Sequence, residues 1–184
     1  MTKHLLALSL LIVGFVLGMG AGYSLTPQYQ EMMYDKSMDL GAPDRLVDLR
    51  YLNAMAAHHR GAMLLAEQAE QSQRPEIQSL AAAIQKDEPK LIAELYQWKK
   101  DWYRDTRTVR DPLPAQIGSY DEKMDLRFLN ALIAHHEAGI LMTEEIRTKS
   151  SRAEVLNNAD AVENFLKTTL VTLKGWRKAW YNID

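Results

Sequence analysis

Asp48-Leu-Arg-Tyr-Leu-Asn-Ala-Met-Ala-Ala-His58-His59 returns, 77 residues later, as Asp125-Leu-Arg-Phe-Leu-Asn-Ala-Leu-Ile-Ala-His135-His136. Apart from His4, these are all the histidines of the chain. The repeat extends further: Trp98-x-x-x-Trp102-Tyr103 matches Trp176-x-x-x-Trp180-Tyr181 at an offset of 78. A period of this size marks two similar structural units, neither of which buries its apolar face alone.

Each unit reads as a helical hairpin. From Asp44, the residues Leu46, Leu49, Leu52, Met55, Ala56, His59 and Met63 recur every three to four positions, as one face of a helix does. This helix is expected to end near residues 72–74. Pro75 opens the next, because proline is tolerated in a first helical turn. Leu80, Ile84, Leu91, Leu95, Trp98 and Trp102 continue the apolar spacing, with Pro89 inside the run predicting a kink or restart near Asp87. Residues 106–118 carry Pro112, Pro114 and Gly118 and form the long break. Ser119-x-x-Glu122 and Ser151-x-x-Glu154 have the spacing of capping boxes and are expected to start the third and fourth helices. The fold class expected is therefore all-α, an antiparallel four-helix bundle over 44–184 with repeats at 44–105 and 119–184. The tryptophans and tyrosines are expected to close one end of its core.

Residues 1–25 read differently. Leu5 to Leu25 carries no charge, long enough to span a bilayer core of about 30 Å as a helix. Lys3 precedes it and the next Lys or Arg is Lys36, a bias that leaves the N-terminus inside and the rest of the chain outside. The alternative is a secretory signal cleaved near Gly18-Met19-Gly20. Either way the bundle is exported, to the periplasm in a bacterium, held by a single transmembrane helix or released. Gly14, Gly18 and Gly22 recur every four residues and offer a face for a homodimer within the membrane, although glycine is common in such helices. Residues 26–43 are read as a linker that holds Met32, Met33 and Met38.

Composition narrows the function. A net charge of -2 with no basic stripe argues against nucleic acid. The absence of cysteine excludes disulfides and thiolate sites, so the nine methionines supply all the sulfur ligands. No nucleophile–base pairing or phosphate loop stands out, and no enzymatic activity is expected. On a helix, Met55, His59 and Met63 share a ridge, His58 shares the next with Met55 and Ala62, and Met142 lies two turns from His135. Imidazole with thioether and no thiolate suits copper, Cu(I) especially. The candidate ligands are His58, His59, His135 and His136, helped by Met55, Met63 and Met142. A di-iron bundle needs Glu-x-x-His motifs that this chain lacks. A second reading remains open, a non-metal envelope or structural module in which the paired histidines form a buried polar network. Asp48, Arg50, Asp125 and Arg127 are expected to form ion pairs within or between helices. Glu67 and Glu144, eight residues after His59 and His136, are candidates to orient a histidine or reach a metal.

The pattern Met-x-x-His-His-x-x-Ala, followed by methionine, resembles the paired-histidine motif of domain-of-unknown-function family 305. The resemblance covers about residues 44–184. It implies a ferritin-like helical bundle, mostly exported bacterial proteins, with copper binding in some members. It places Met55, His58, His59, His135, His136 and Met142 on motif positions, with Gln85 and Glu88 on the second helix. Leu65 and Leu132 stand where the motif has methionine, and Leu95 where methionine is often found.

Overall fold

The fold is described from a computed structural model, over residues 39–184. Four helices follow one another: α1 Val47–Gln68, α2 Pro75–Tyr103, α3 Met124–Arg147 and α4 Ala153–Tyr181. A short 3₁₀ turn, Ala69–Gln71, closes α1, and Pro75 is the first residue of α2. The second helix runs unbroken through Pro89, so the expected restart near Asp87 does not occur. Both hairpins end alike, with Arg104 and Asn182 left-handed at φ 54°.

The two capping boxes are not used. Helix α3 begins at Met124 and α4 at Ala153, and neither has a side-chain cap. Instead, the Asp121 carboxylate accepts the Lys123 N–H, and the Ser150 hydroxyl accepts the Arg152 N–H. These side chains fold the chain just ahead of the first turn, which leaves Ser119 and Ser151 without that task.

Within each hairpin the helices pack along their length, α1 on α2 and α3 on α4, and the hairpins meet through α1 and α3. The central pair is accordingly buried on most faces, while α2 and α4 bury one stripe each. Helices α1 and α3 run antiparallel. The end of α3 meets the start of α1, where Ser150 and Arg152 reach Asp48. The end of α1 meets the start of α3, where Arg74 reaches Asp125. The two ion pairs are related by the repeat: Arg152 Nε lies 3.1 Å from Asp48, and Arg74 Nε 3.2 Å from Asp125. Each arginine also lies over a tryptophan, Arg152 on Trp102 and Arg74 on Trp180, both at 4.2 Å to the ring centre. Arg50 and Arg127 hold matching loops, donating to the carbonyls of Leu40 and Ala42 and of Ile117 and Ser119. Gly41 and Gly118 turn those loops at φ 64° and 74°, a conformation that favours glycine.

This approximate two-fold relation corrects one expectation. The tryptophan pairs sit at opposite ends, because each hairpin points its open end the other way. One apolar cluster joins the start of α1, the end of α3 and Trp98 and Trp102. The other joins the end of α1, the start of α3 and Trp176 and Trp180. Between the two clusters lies a layer of histidines.

Among the described residues no helix is long and apolar enough to cross a membrane. The expected span Leu5–Leu25, the glycine face Gly14, Gly18 and Gly22, and the linker methionines Met32, Met33 and Met38 lie outside the described residues.

Candidate metal centre

The mid-points of α1 and α3 carry the paired histidines, and burial of the central helices takes all four with them. His58, His59, His135 and His136 are 2, 4, 1 and 4 % exposed. Helix geometry separates the members of each pair by about 100°, so they serve different neighbours. His58 and His135 turn toward each other and stack, ring centres 3.9 Å apart and planes 16° from parallel. His58 Nε2 lies 3.1 Å from the His135 carbonyl oxygen, to which it donates in the tautomer protonated there. His59 turns toward α2, with Nδ1 against the Glu88 carboxylate. His136 turns toward α4 and the ring of Phe165, 6.5 Å between centres.

Small residues make this approach possible. A methyl group at Gly139 would stand 2.5 Å from His58 Nε2, and one at Gly61 would stand 3.1 Å from His135 Cε1. Only helical backbone without a side chain leaves room for the opposite ring.

Burial sets the charge state. It lowers the His58 pKa to about 3, with His59 adding repulsion, and the His136 pKa to about 4. His135 is also held well below the ordinary histidine value by burial first and then by its histidine neighbours. These three rings are therefore neutral at pH 7. Neutral imidazole is the form that binds metals. The buried nitrogens Nδ1 of His58, Nε2 of His59 and both of His135 and His136 lack a well-aligned hydrogen-bond partner. Buried polar atoms are normally satisfied, so a layer of six such nitrogens is unusual for a purely structural core.

The methionines are divided by the layer. Met55 and Met142 are fully buried in one apolar cluster, while the other buries Met124 at the start of α3 and has Met63 packed half-buried against it. Among the described residues no three His, Asp or Glu side chains converge as a ready metal cage. The donors buried in the layer and on either side of it are imidazole nitrogen and thioether sulfur, a set whose chemistry fits a soft metal. Glu67 and Glu144 are exposed and take no part. The carboxylate at the layer is Glu88, which the spacing within the histidine helices did not reveal because it comes from α2. It was visible only as a position of the family pattern.

The layer is reached from one side. Helices α2 and α4 share at most a marginal contact, and a groove of about 630 Å³ lies between them. His58, His135 and His136 line it, with Trp98 and Phe165 among its apolar walls and Asp87, Glu94 and Glu154 among its charged residues.

Residues 48–124 match the family described as Domain of unknown function (DUF305). The resemblance carried by the paired histidines is borne out. The match covers α1, α2 and the connection to α3, so the second hairpin enters through the internal repeat. Among solved structures the chain is similar to CopM in the Ag-bound form and in the Cu(I)-bound form, each with a TM-score of 0.65 and 26 % identity. Each covers 73 % of this chain and 97 % of that one. The apo form of CopM matches with a TM-score of 0.64 and 26 % identity, over 73 % of this chain and 98 % of that one. A search of curated proteins finds no match.

Proposed function

We propose that this chain binds copper at the histidine layer and stores, buffers or delivers it outside the cytoplasm. The observation that carries the reading is the layer itself: four buried imidazoles, three of them held neutral, with six nitrogens that lack a well-aligned hydrogen-bond partner and buried thioethers on either side. Neutral imidazole and thioether together favour Cu(I), and no proton needs to leave the three low-pKa rings on binding near neutral pH. Likeness to CopM, solved with Cu(I) and with Ag, supports the same metal class for this chain. The acidic residues along the groove would attract a cation toward the histidines. His58, His59, His135 and His136 are the proposed ligands, with Met55, Met63 and Met142 as the available sulfur donors. The uncharged stretch Leu5–Leu25 would anchor the bundle on the periplasmic face of a bacterial inner membrane, or direct its secretion there. Two copies would pair through Gly14, Gly18 and Gly22. We read the chain as a binder without turnover.

Anaerobic titration with Cu(I), and separate titrations with Cu(II) and Zn(II), test this. Tight copper binding by the purified protein is expected, with loss in a variant carrying His58→Asn, His59→Asn, His135→Asn and His136→Asn. Copper binding unchanged in that folded variant would overturn the assignment.

One observation favours a second reading. The His58–His135 stack and the His58 hydrogen bond to the His135 carbonyl join the hairpins without any metal. A polar lock of this kind would fix which hairpin faces pair. It predicts no copper binding and weakened hairpin docking when the stack is removed.

A further inference from the structure

The two sides of the histidine layer are not alike. The antiparallel register places His58 against Gly139 and His135 against Gly61. Moving one turn outward on both helices from the first contact brings Met55 and Met142 together. Moving one turn outward from the second brings Leu65 and Leu132 together. Met55 and Met142 indeed share one buried cluster, and Leu65 and Leu132 share the other, all at 0 or 1 % exposure. The repeat offset of 77 exchanges these pairs: Met55 corresponds to Leu132, and Leu65 to Met142. At these four positions the chain has therefore kept both thioethers on one side and a leucine at each equivalent position on the other.

A second difference runs the same way. His59, one turn from Met55, has Glu88 against Nδ1, which leaves Nε2 as the bare nitrogen. A carboxylate on one ring nitrogen orients the ring and makes the other a better ligand. At the offset of 78, the residue equivalent to Glu88 is Leu166, on the side of His136. Met63 lies half-buried with the Leu65 cluster, and the other thioether of that cluster, Met124, stands at the start of α3, about three turns before His135.

We propose that the bundle has a single site for a soft monovalent ion, Cu(I) being the natural occupant, on the Met55–Met142 side of the layer. Its donors are the two thioether sulfurs with imidazole nitrogen from the first histidine pair. The Leu65–Leu132 side, which the repeat makes its structural twin, takes no such ion. This rests on the copper reading above and adds its location and count.

Two variants of the full chain decide it. Met and Leu are close in volume, and such swaps usually cost less than about 1.5 kcal/mol, so both variants should fold. Thermal melts check that. Cu(I) is titrated anaerobically against a chromogenic Cu(I) chelator, with native mass spectrometry counting bound ions. The Met55→Leu/Met142→Leu variant is expected to lose one equivalent. The Leu65→Met/Leu132→Met variant is expected to gain one. Sulfur scattering in the copper X-ray absorption spectrum should vanish in the first and persist in the second. An unchanged count in the Met→Leu variant overturns the location, and an unchanged count in the Leu→Met variant overturns the twin-site argument. A wild-type chain that takes up no copper at all overturns the copper reading itself.

Discussion

Acid should unfold this bundle at an unusually mild pH, and the cause lies in the histidine layer. In the unfolded chain a histidine titrates near pH 6.5. In the folded chain burial holds His58 at about 3 and His136 at about 4, and His135 well below 6.5. The folded values are lower, so the unfolded state takes up protons first as the pH falls. Stability from these groups is complete above about pH 6.5 and is lost below it. Each pH unit costs about 1.4 kcal/mol per histidine. Between pH 6.5 and 5, His58 and His136 together remove about 4 kcal/mol, and His135 acts in the same direction. A domain of this size has on the order of 5–15 kcal/mol in total. The protein should therefore approach its unfolding midpoint near pH 5, before exposed acidic residues begin to matter, such as Asp44, held low by the Leu46 N–H and then Arg50, and Asp121, held low first by Arg127. Urea midpoints followed by circular dichroism at pH 7.5, 6.5, 5.5 and 5.0 measure this. His135→Gln, which cannot be protonated in this range, should flatten the slope. Midpoints that stay level from pH 6.5 to 5 would refute the reasoning, since they would mean that the buried rings exchange protons with solvent as freely folded as unfolded.

Other outcomes follow from single contacts. Gly139→Ala puts a methyl group 2.5 Å from His58 and 2.7 Å from Leu166, so overpacking of about 1–3 kcal/mol should outweigh a helix-propensity gain of about 1 kcal/mol. Gly175→Ala meets nothing within 4 Å and should keep that gain, so calorimetry should show the two variants moving apart in Tm; equal shifts would contradict the packing described. Glu88→Gln removes the carboxylate from His59 and should weaken copper binding by about 10–100-fold in a competition assay, with little change in the count of ions. A C-terminal alkaline phosphatase fusion in a bacterial host should be active and sediment with membranes, whereas an inactive fusion would place the bundle in the cytoplasm.

The repeat made the architecture readable before any coordinates. Helix spacing around His58 and His135, Pro75 and the proline-bearing break before Gly118 all fall where the helices begin, end or pause. What spacing along one helix cannot give is the register between two. The two-fold relation sends Trp98 and Trp176 to opposite ends, and it decides which methionines meet. Met55, His59 and Met63 do lie along one helix, yet the partner helix meets that line only in part. Met55 therefore shares a buried cluster with Met142, while Met63 remains at the margin of the other. Glu67 and Glu144 share the periodicity but are exposed, and the carboxylate beside the layer comes instead from α2 as Glu88. Short cap motifs failed for a related reason: a neighbouring Asp or Ser made the competing turn first.

The layer is costly as a structural element alone. A buried polar atom without a partner costs about 1–3 kcal/mol, and several sit between two apolar clusters that a leucine or phenylalanine layer would join. The His58 hydrogen bond to a backbone carbonyl, the contact of His59 with Glu88 and one ring stack offset only part of that. Specific pairing of the hairpins does not require the layer either. The two Asp–Arg–Trp contacts, Asp48 with Arg152 and Trp102 and Asp125 with Arg74 and Trp180, already join the hairpins at both ends in the same register. Coordinating nitrogens in a place where apolar side chains would serve stability better favour the proposed metal site over a purely structural layer. The uneven distribution of methionine sharpens this point. If the layer served packing alone, leucine would do as well one turn out on one side as on the other, and nothing would set Met55 and Met142 at the positions where the repeat has Leu132 and Leu65.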